Sequence, residues 1–216
     1  RSQAKRTGKW LLREFGSRFF DRYYTSEYVR AIETSEGFAL PNASWFTEPY
    51  LIERDWGDLD KYNEEERLKL FARDLALRHV QPFLWRPQNG ENFATLRFRL
   101  DRGFLFTLHR ECTDKRVIAV CHGEVMWGFR VLIERMSQLR FKKLHLSKRP
   151  RNRIYNCQII HYTRRNPKTG ELAPYMGWMR MVRPTDIPVT DFGWQPIVRP
   201  RYTNEELHAI VEKYPA

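Results

Sequence analysis

Asp114-Lys115-Arg116-Val117-Ile118-Ala119-Val120-Cys121-His122-Gly123-Glu124 is the stretch that decides the fold. Five apolar residues run unbroken from Val117 to Cys121, between a charged triplet and a His-Gly pair. A strand with one wet face alternates polar and apolar positions. This one does not, so it reads as a strand buried on both faces of a parallel sheet. Parallel neighbours need crossover helices, and the spacing from Glu124 to Leu139 predicts one.

The same alternation extends outward along the chain. Residues 3–15 set Ala4, Thr7, Gly8, Leu11, Leu12 and Phe15 three and four apart, and Gly16-Ser17 stops that helix. Phe19 to Thr25 reads as a strand, Tyr28 to Phe38 as a helix, Trp45 to Leu51 as a short strand and Asp55 to Asp60 as a turn. Helical spacing returns over Glu64 to Val80. After the breakers Pro82 and Arg86-Pro87-Gln88-Asn89-Gly90 it resumes over residues 92–111. Arg140 to Arg153 carries seven Lys or Arg in fourteen positions and reads as a loop. A strand from Ile154 to Tyr162, a hairpin at Asn166-Pro167-Lys168-Thr169-Gly170 and a proline-rich tail follow, with Trp194, Tyr202 and Tyr214 as its aromatic residues. The capping box Thr203-Asn204-Glu205-Glu206 opens a final helix. The pattern defines an α/β layered fold, and in such folds ligands sit beyond the C-terminal ends of the strands.

Composition narrows the classes. A chain of 216 residues with 42% hydrophobic and 14% aromatic side chains holds enough apolar mass for one sizeable core, and it lacks the run of about 20 apolar residues that crosses a bilayer. No membrane partner is expected. Thirty-eight Lys and Arg against 26 Asp and Glu leave a net charge of +12, which favours anionic partners. Cys112, Cys121 and Cys157 are odd in number and outside any metal-binding spacing, which fits a cytoplasmic or other reducing compartment. The sequon at Asn42-Ala43-Ser44 has no secretory signal beside it.

Two strand ends carry chemistry. Arg30, four residues after Ser26 at the start of a helix, can offer a guanidinium to a phosphate beside free helix-terminal N–H groups, although an isolated arginine is more often simply a surface residue. His122, beside a glycine at the mouth of a buried strand, can hydrogen-bond a phosphoryl oxygen or exchange protons, although a lone histidine is more often structural. Glu53 serves as a general acid if burial raises its pKa, and as an ordinary ion pair if Arg54 neutralises it.

Taken together, Ser26-x-x-x-Arg30-Ala31-x-x-Thr34, Glu53-x-x-x-Gly57, Pro87-x-x-Gly90-Glu91 and the apolar strand ending in His122-Gly123 resemble the histidine phosphatase superfamily, with its phosphoglycerate-mutase-like fold. The resemblance runs from about Arg1 to Tyr162 and takes Asn156-Cys157 as part of the strand that closes the domain. It implies a three-layer α/β/α sandwich with a mostly parallel central sheet. Residues 1–165 form a domain lacking its first strand, and residues 166–216 form a hairpin and proline-rich extension with a short terminal helix. It also implies transfer of a phosphoryl group from a phosphorylated small molecule through a phosphohistidine, with Arg30 and His122 binding phosphate, His122 and Glu53 catalytic, and no metal or organic cofactor. Where the family has Gly-Glu-Ser this chain has Gly90-Glu91-Asn92, and no Arg-His-Gly triplet occurs in it. The attacking histidine is therefore expected upstream of Arg1, on a central strand whose neighbours would otherwise hold orphaned backbone groups costing about 1–3 kcal/mol each. The alternative is a catalytically inactive phosphatase-like binding or structural subunit, in which the stretch from Arg140 to Arg153 contacts a polyanion such as nucleic acid.

Overall fold

The computed structural model describes residues 1–213; Tyr214, Pro215 and Ala216 lie outside the described residues. In chain order the elements are α1 (Ser2–Phe15), β1 (Arg22–Ser26), α2 (Val29–Gly37), β2 (Trp45–Glu48), α3 (Glu64–Leu70), α4 (Ala72–Val80), α5 (Phe93–Arg99) and α6 (Phe106–Glu111). They continue as β3 (Val117–Val120), α7 (Gly123–Ile133), α8 (Gln138–His145), β4 (Ile159–Thr163), β5 (Trp178–Val182), α9 (Ile187–Thr190), β6 (Gln195–Pro196) and α10 (Asn204–Glu212).

The strands form two three-stranded sheets, and helices cover both faces. In the order β2-β1-β3 all pairings are parallel, with Tyr24 opposite Phe46 on one side and Ala119 on the other. In the order β4-β5-β6 they are antiparallel, and the hairpin between Thr163 and Trp178 is the one its Asn-Pro-Lys-Thr-Gly turn predicts. On one face α1 and α2 bury Ala4, Trp10, Leu11, Ala31 and Phe38 against Val120 and Val182. Gly8 makes that contact possible, since a Cβ there would stand 2.0 Å from the Phe38 carbonyl oxygen. On the other face Phe93, Leu96, Leu100 and Phe104 meet Tyr24, Val125, Trp127 and Phe141, with the Phe93 and Phe141 rings stacked at 4.2 Å.

Several expected elements are corrected. The helix over Glu64 to Val80 breaks at Phe71 (φ −122°, ψ 23°) into α3 and α4, neither of which buries a residue, so no core contact holds them as one rod. The helix after His122 stops at Ile133 rather than Leu139. The basic stretch is a loop only in its second half: Ser137 accepts the Arg140 N–H at 3.2 Å and starts α8, which the fully buried Phe141 anchors in the core, while residues 146–153 stay irregular apart from a 3-10 turn at Pro150–Asn152. The strand expected from Ile154 to Tyr162 begins only at Ile159. Asn156-Cys157 lies in a turn, with Cys157 at φ 57°. Cys121 falls beyond the end of β3. The strand is also less buried than its run of apolar residues predicts, with Ala119 exposed.

The exposure of β3 has a structural cause. Among the described residues β3 pairs only with β1 and β4 only with β5, so each keeps one free edge. A cavity of about 2520 Å³ lies between those edges, lined by Val117 to His122 on one side and Ile159 to Thr163 on the other, and it reaches Arg30.

Candidate active site

Because β1 and β3 run parallel in register, with Thr25 opposite Val120, Ser26 and, two residues beyond Val120, His122 both emerge at the C-terminal end of the sheet. Ser26 is fully buried and its Oγ is 2.8 Å from His122 Nε2. Arg30, in the first turn of α2, donates its Nε–H to His122 Nδ1 at 3.2 Å. An arginine Nε can only donate, so Nδ1 accepts and the neutral ring carries its proton on Nε2, donating it to Ser26 Oγ. Burial, aided by the charges of Arg30 and Arg99, pushes the His122 pKa down to about 4, so the ring is neutral at pH 7. The Tyr28 ring meets His122 edge-on at 5.3 Å and stacks under the Arg30 guanidinium at 4.7 Å.

Glu53 arrives from the loop after β2, which turns through a short 3-10 helix at Pro49–Leu51. Burial raises its pKa, and the nearby Glu124 carboxylate adds to the rise. The Arg54 N–H, donated to Glu53 Oε1 at 3.0 Å, the backbone N–H of Glu124 and the charge of Arg30 pull the other way without overcoming burial. Glu53 lies within electrostatic reach of Arg30, Cys121 and Glu124, the residues around His122. Arg54 does not neutralise it. The buried Arg54 guanidinium donates to the carbonyls of Glu91 (2.8 Å) and Trp85 (2.9 Å), lies 4.0 Å from Glu124 Oε2, and sits against the rings of Trp56 and Trp85, which contact each other.

Glu124 turns away from His122 toward Arg78 (3.4 Å) and His145 (3.3 Å). The basic stretch is partly tied down within the chain: Arg140 reaches the Val198 carbonyl, Lys142 the Val80 carbonyl, and Arg151 and Arg153 stack on Phe192 and Tyr155. Sequence reasoning brought Arg30, Glu53 and His122 to one place, but it missed Ser26 as the proton acceptor of His122 and overlooked Arg99. The signal for Ser26 was its position as the last residue of β1, beside the end of β3 that leads into His122. Arg99 resembles any other cation on an amphipathic helix.

The sequence profile of the histidine phosphatase superfamily (branch 1) matches residues 1–167. The chain belongs to that superfamily. Among curated relatives, the chicken (Gallus gallus) 6-phosphofructo-2-kinase/fructose-2,6-bisphosphatase is 30% identical over 105 residues, 49% of this chain and 21% of the relative. A mouse (Mus musculus) homologue of that enzyme is 29% identical over the same shares. The chain thus matches about a fifth of the length of these relatives. Among solved structures, the alpha-ribazole phosphatase of Shigella flexneri superposes with a TM-score of 0.56 at 21% identity, covering 65% of this chain and 67% of that one. A mycobacterial glucosyl-3-phosphoglycerate phosphatase in complex with inorganic phosphate gives 0.56 at 17% identity, covering 65% and 70%. These likenesses establish the α/β/α phosphoglycerate-mutase-like fold. No described helix is long and apolar enough to cross a membrane.

Proposed function

We propose that the protein removes or moves the phosphoryl group of a phosphorylated small molecule through a phosphohistidine intermediate, with the attacking histidine in sequence preceding Arg1. The observation that carries this reading is the convergence of Arg30, a neutral His122 with its proton on Nε2, and a Glu53 whose pKa is raised, all beyond the C-terminal ends of two adjacent parallel strands. Phosphatase relatives and the superfamily profile support it. A strand laid between β3 and β4, parallel to β3, would pair both free edges and end beside His122.

In this reading a ring nitrogen of the attacking histidine forms a bond to phosphorus as the bond from phosphorus to the leaving oxygen breaks. Glu53 gives its proton to that oxygen. The Glu53 carboxylate then takes a proton from water as the water oxygen attacks phosphorus. The N–P bond breaks, inorganic phosphate departs, and Glu53 is again protonated. Among the described residues Arg30 uses only its Nε–H inside the chain, which leaves its two terminal amino groups for the equatorial phosphoryl oxygens. The Nε2–H of His122 serves as a further donor as negative charge builds.

The test uses the full-length protein. His122→Ala should retain the fold and lose nearly all hydrolysis of p-nitrophenyl phosphate and of acid-labile phosphohistidine turnover. Undiminished activity in that variant refutes the assignment, as does failure of the wild type to form any phosphohistidine.

A further inference from the structure

We infer that Arg99 is a positioning residue for Glu53: locked to Glu91, it fixes the backbone that carries the acid and so sets proton delivery to the leaving group. This rests on the reading of Glu53 above. Every donor group of the Arg99 guanidinium is engaged. Nε donates to Glu91 Oε1 at 2.9 Å and NH2 to Glu91 Oε2 at 3.1 Å, the bidentate geometry that only arginine offers a carboxylate. On the acid loop, NH1 donates to the Tyr50 carbonyl at 2.6 Å, and the second N–H of NH2 is shared between the carbonyls of Ile52 at 2.9 Å and Glu53 at 3.2 Å. One side chain thus holds three carbonyls within four residues, including that of Glu53 itself.

A second observation points the same way. Directly after Arg99 the helix widens into a π-helical segment, Leu100–Leu105, a distortion found often at functional sites. Within it Gly103 receives the Tyr50 ring so closely that a Cβ would stand 2.3 Å from its Cγ. Tyr50 is therefore fixed by its ring against Gly103 and by its carbonyl on Arg99, at the start of the loop that ends in Glu53. Glu91 is fixed in turn: its N–H donates to the Asp55 carbonyl at 2.8 Å, and its own carbonyl accepts from Arg54 at 2.8 Å. The acid loop is braced on both sides of Glu53, and Arg99, through its pair with Glu91, holds the backbone carbonyl of Glu53 itself.

Leaving-group dependence separates positioning from bulk stability. p-Nitrophenyl phosphate departs as a stabilised phenolate that needs no proton, whereas glycerol phosphate departs as an alkoxide that does. In the full-length protein Arg99→Met should lower kcat/KM, which reports phosphohistidine formation and not the hydrolysis step common to both substrates, by about 100-fold on glycerol phosphate, the scale of a misplaced catalytic group, and by less than about 3-fold on p-nitrophenyl phosphate. Glu53→Gln should show the same selectivity and more of it. Arg99→Lys, which keeps the charge but cannot span carboxylate and carbonyls together, should fold normally and show a smaller loss with the same selectivity. Equal losses on both substrates in Arg99→Lys and Arg99→Met would reduce Arg99 to a stabilising residue and overturn the inference. Selectivity absent from Glu53→Gln as well would instead overturn the role of Glu53 itself, and the positioning role with it.

Discussion

Acidification should destabilise this protein through His122 in a way that one substitution removes. In the folded chain the ring gives up its proton at about pH 4, whereas an unfolded histidine does so near 6.5. The unfolded state therefore binds one proton more between those limits. The stabilisation is fully present above pH 6.5 and is lost as the pH falls toward 4. Each pKa unit is worth 1.36 kcal/mol, so the full difference comes to about 3 kcal/mol, an upper figure because water entering the site moderates it. The cause is geometric: the ring is 8% exposed, and Arg30 already donates to the one nitrogen that a second proton would need. His161, pushed down to about 4 by burial between Phe15 and Trp194, adds a second contribution of the same sign. The assay is urea unfolding of the full-length protein at half-unit pH steps from 7.5 to 4, compared with His122→Asn, whose side-chain carbonyl still accepts from Arg30. The variant should lose stability less steeply on acidification, by about 1.4 kcal/mol per pH unit over the middle of the window. Parallel curves for the two proteins would mean that His122 titrates normally in the folded state, and would refute the assignment of a neutral ring protonated on Nε2.

Three further outcomes are expected. Phe141→Ala, at a fully buried ring stacked on Phe93, should cost about 3–5 kcal/mol in chemical denaturation and loosen α8, detectable as faster amide exchange across Gln138–His145. Gly8→Ala should destabilise the protein more than any exposed substitution in α1, because its Cβ would collide with the Phe38 backbone; an unchanged melting temperature would show that α1 and α2 do not pack as described. On glycerol phosphate, activity should fall on the alkaline side with a midpoint above the ordinary carboxylate range, since Glu53 must hold its proton to act, and Glu53→Gln should abolish that limb of the profile.

What the sequence disclosed depended on which physical signal was local. Ser26, Arg30 and His122 were placed correctly because a parallel sheet delivers its strand ends to one line, and that line follows from the order of elements. The turn at Asn166 to Gly170 and the capping box at Thr203 were legible because their chemistry is contained in four or five residues. α8 was missed because seven basic residues hid the one position that matters, Phe141, whose burial depends on Phe93 far away in the chain. The break at Phe71 was missed because amphipathic spacing describes a face but not whether anything covers it, and α3 and α4 bury nothing. β3 was read as buried on both faces from its apolar run, but burial belongs to the whole sheet, and a free edge beside a cavity leaves Ala119 exposed.

The environment of Glu53 also bears on why so many arginines surround its loop. Three of them, Arg30, Arg54 and Arg99, lie near an acid that must keep its proton, and cations near a carboxylate ordinarily strip it. They fail to do so here because two of the three are committed elsewhere. Arg99 faces the Glu91 carboxylate, which balances its charge, and Arg54 turns to two carbonyls and toward Glu124. Glu124 in turn raises Glu53 by its own negative charge. Only Arg30 acts on Glu53 without a carboxylate partner among the described residues, and its effect is the smallest of those on the acid. Arg54 and Arg99 can therefore hold the loop by their hydrogen bonds while Glu124 and Glu91 offset their charge toward Glu53. Replacing Glu91 with Gln should free the charge of Arg99 without removing its reach to the carbonyls. The pKa of Glu53 should then fall, and the alkaline limb of the rate profile should move to lower pH. A limb that stays in place would mean that burial alone sets the acid and that the carboxylates around it are only structural.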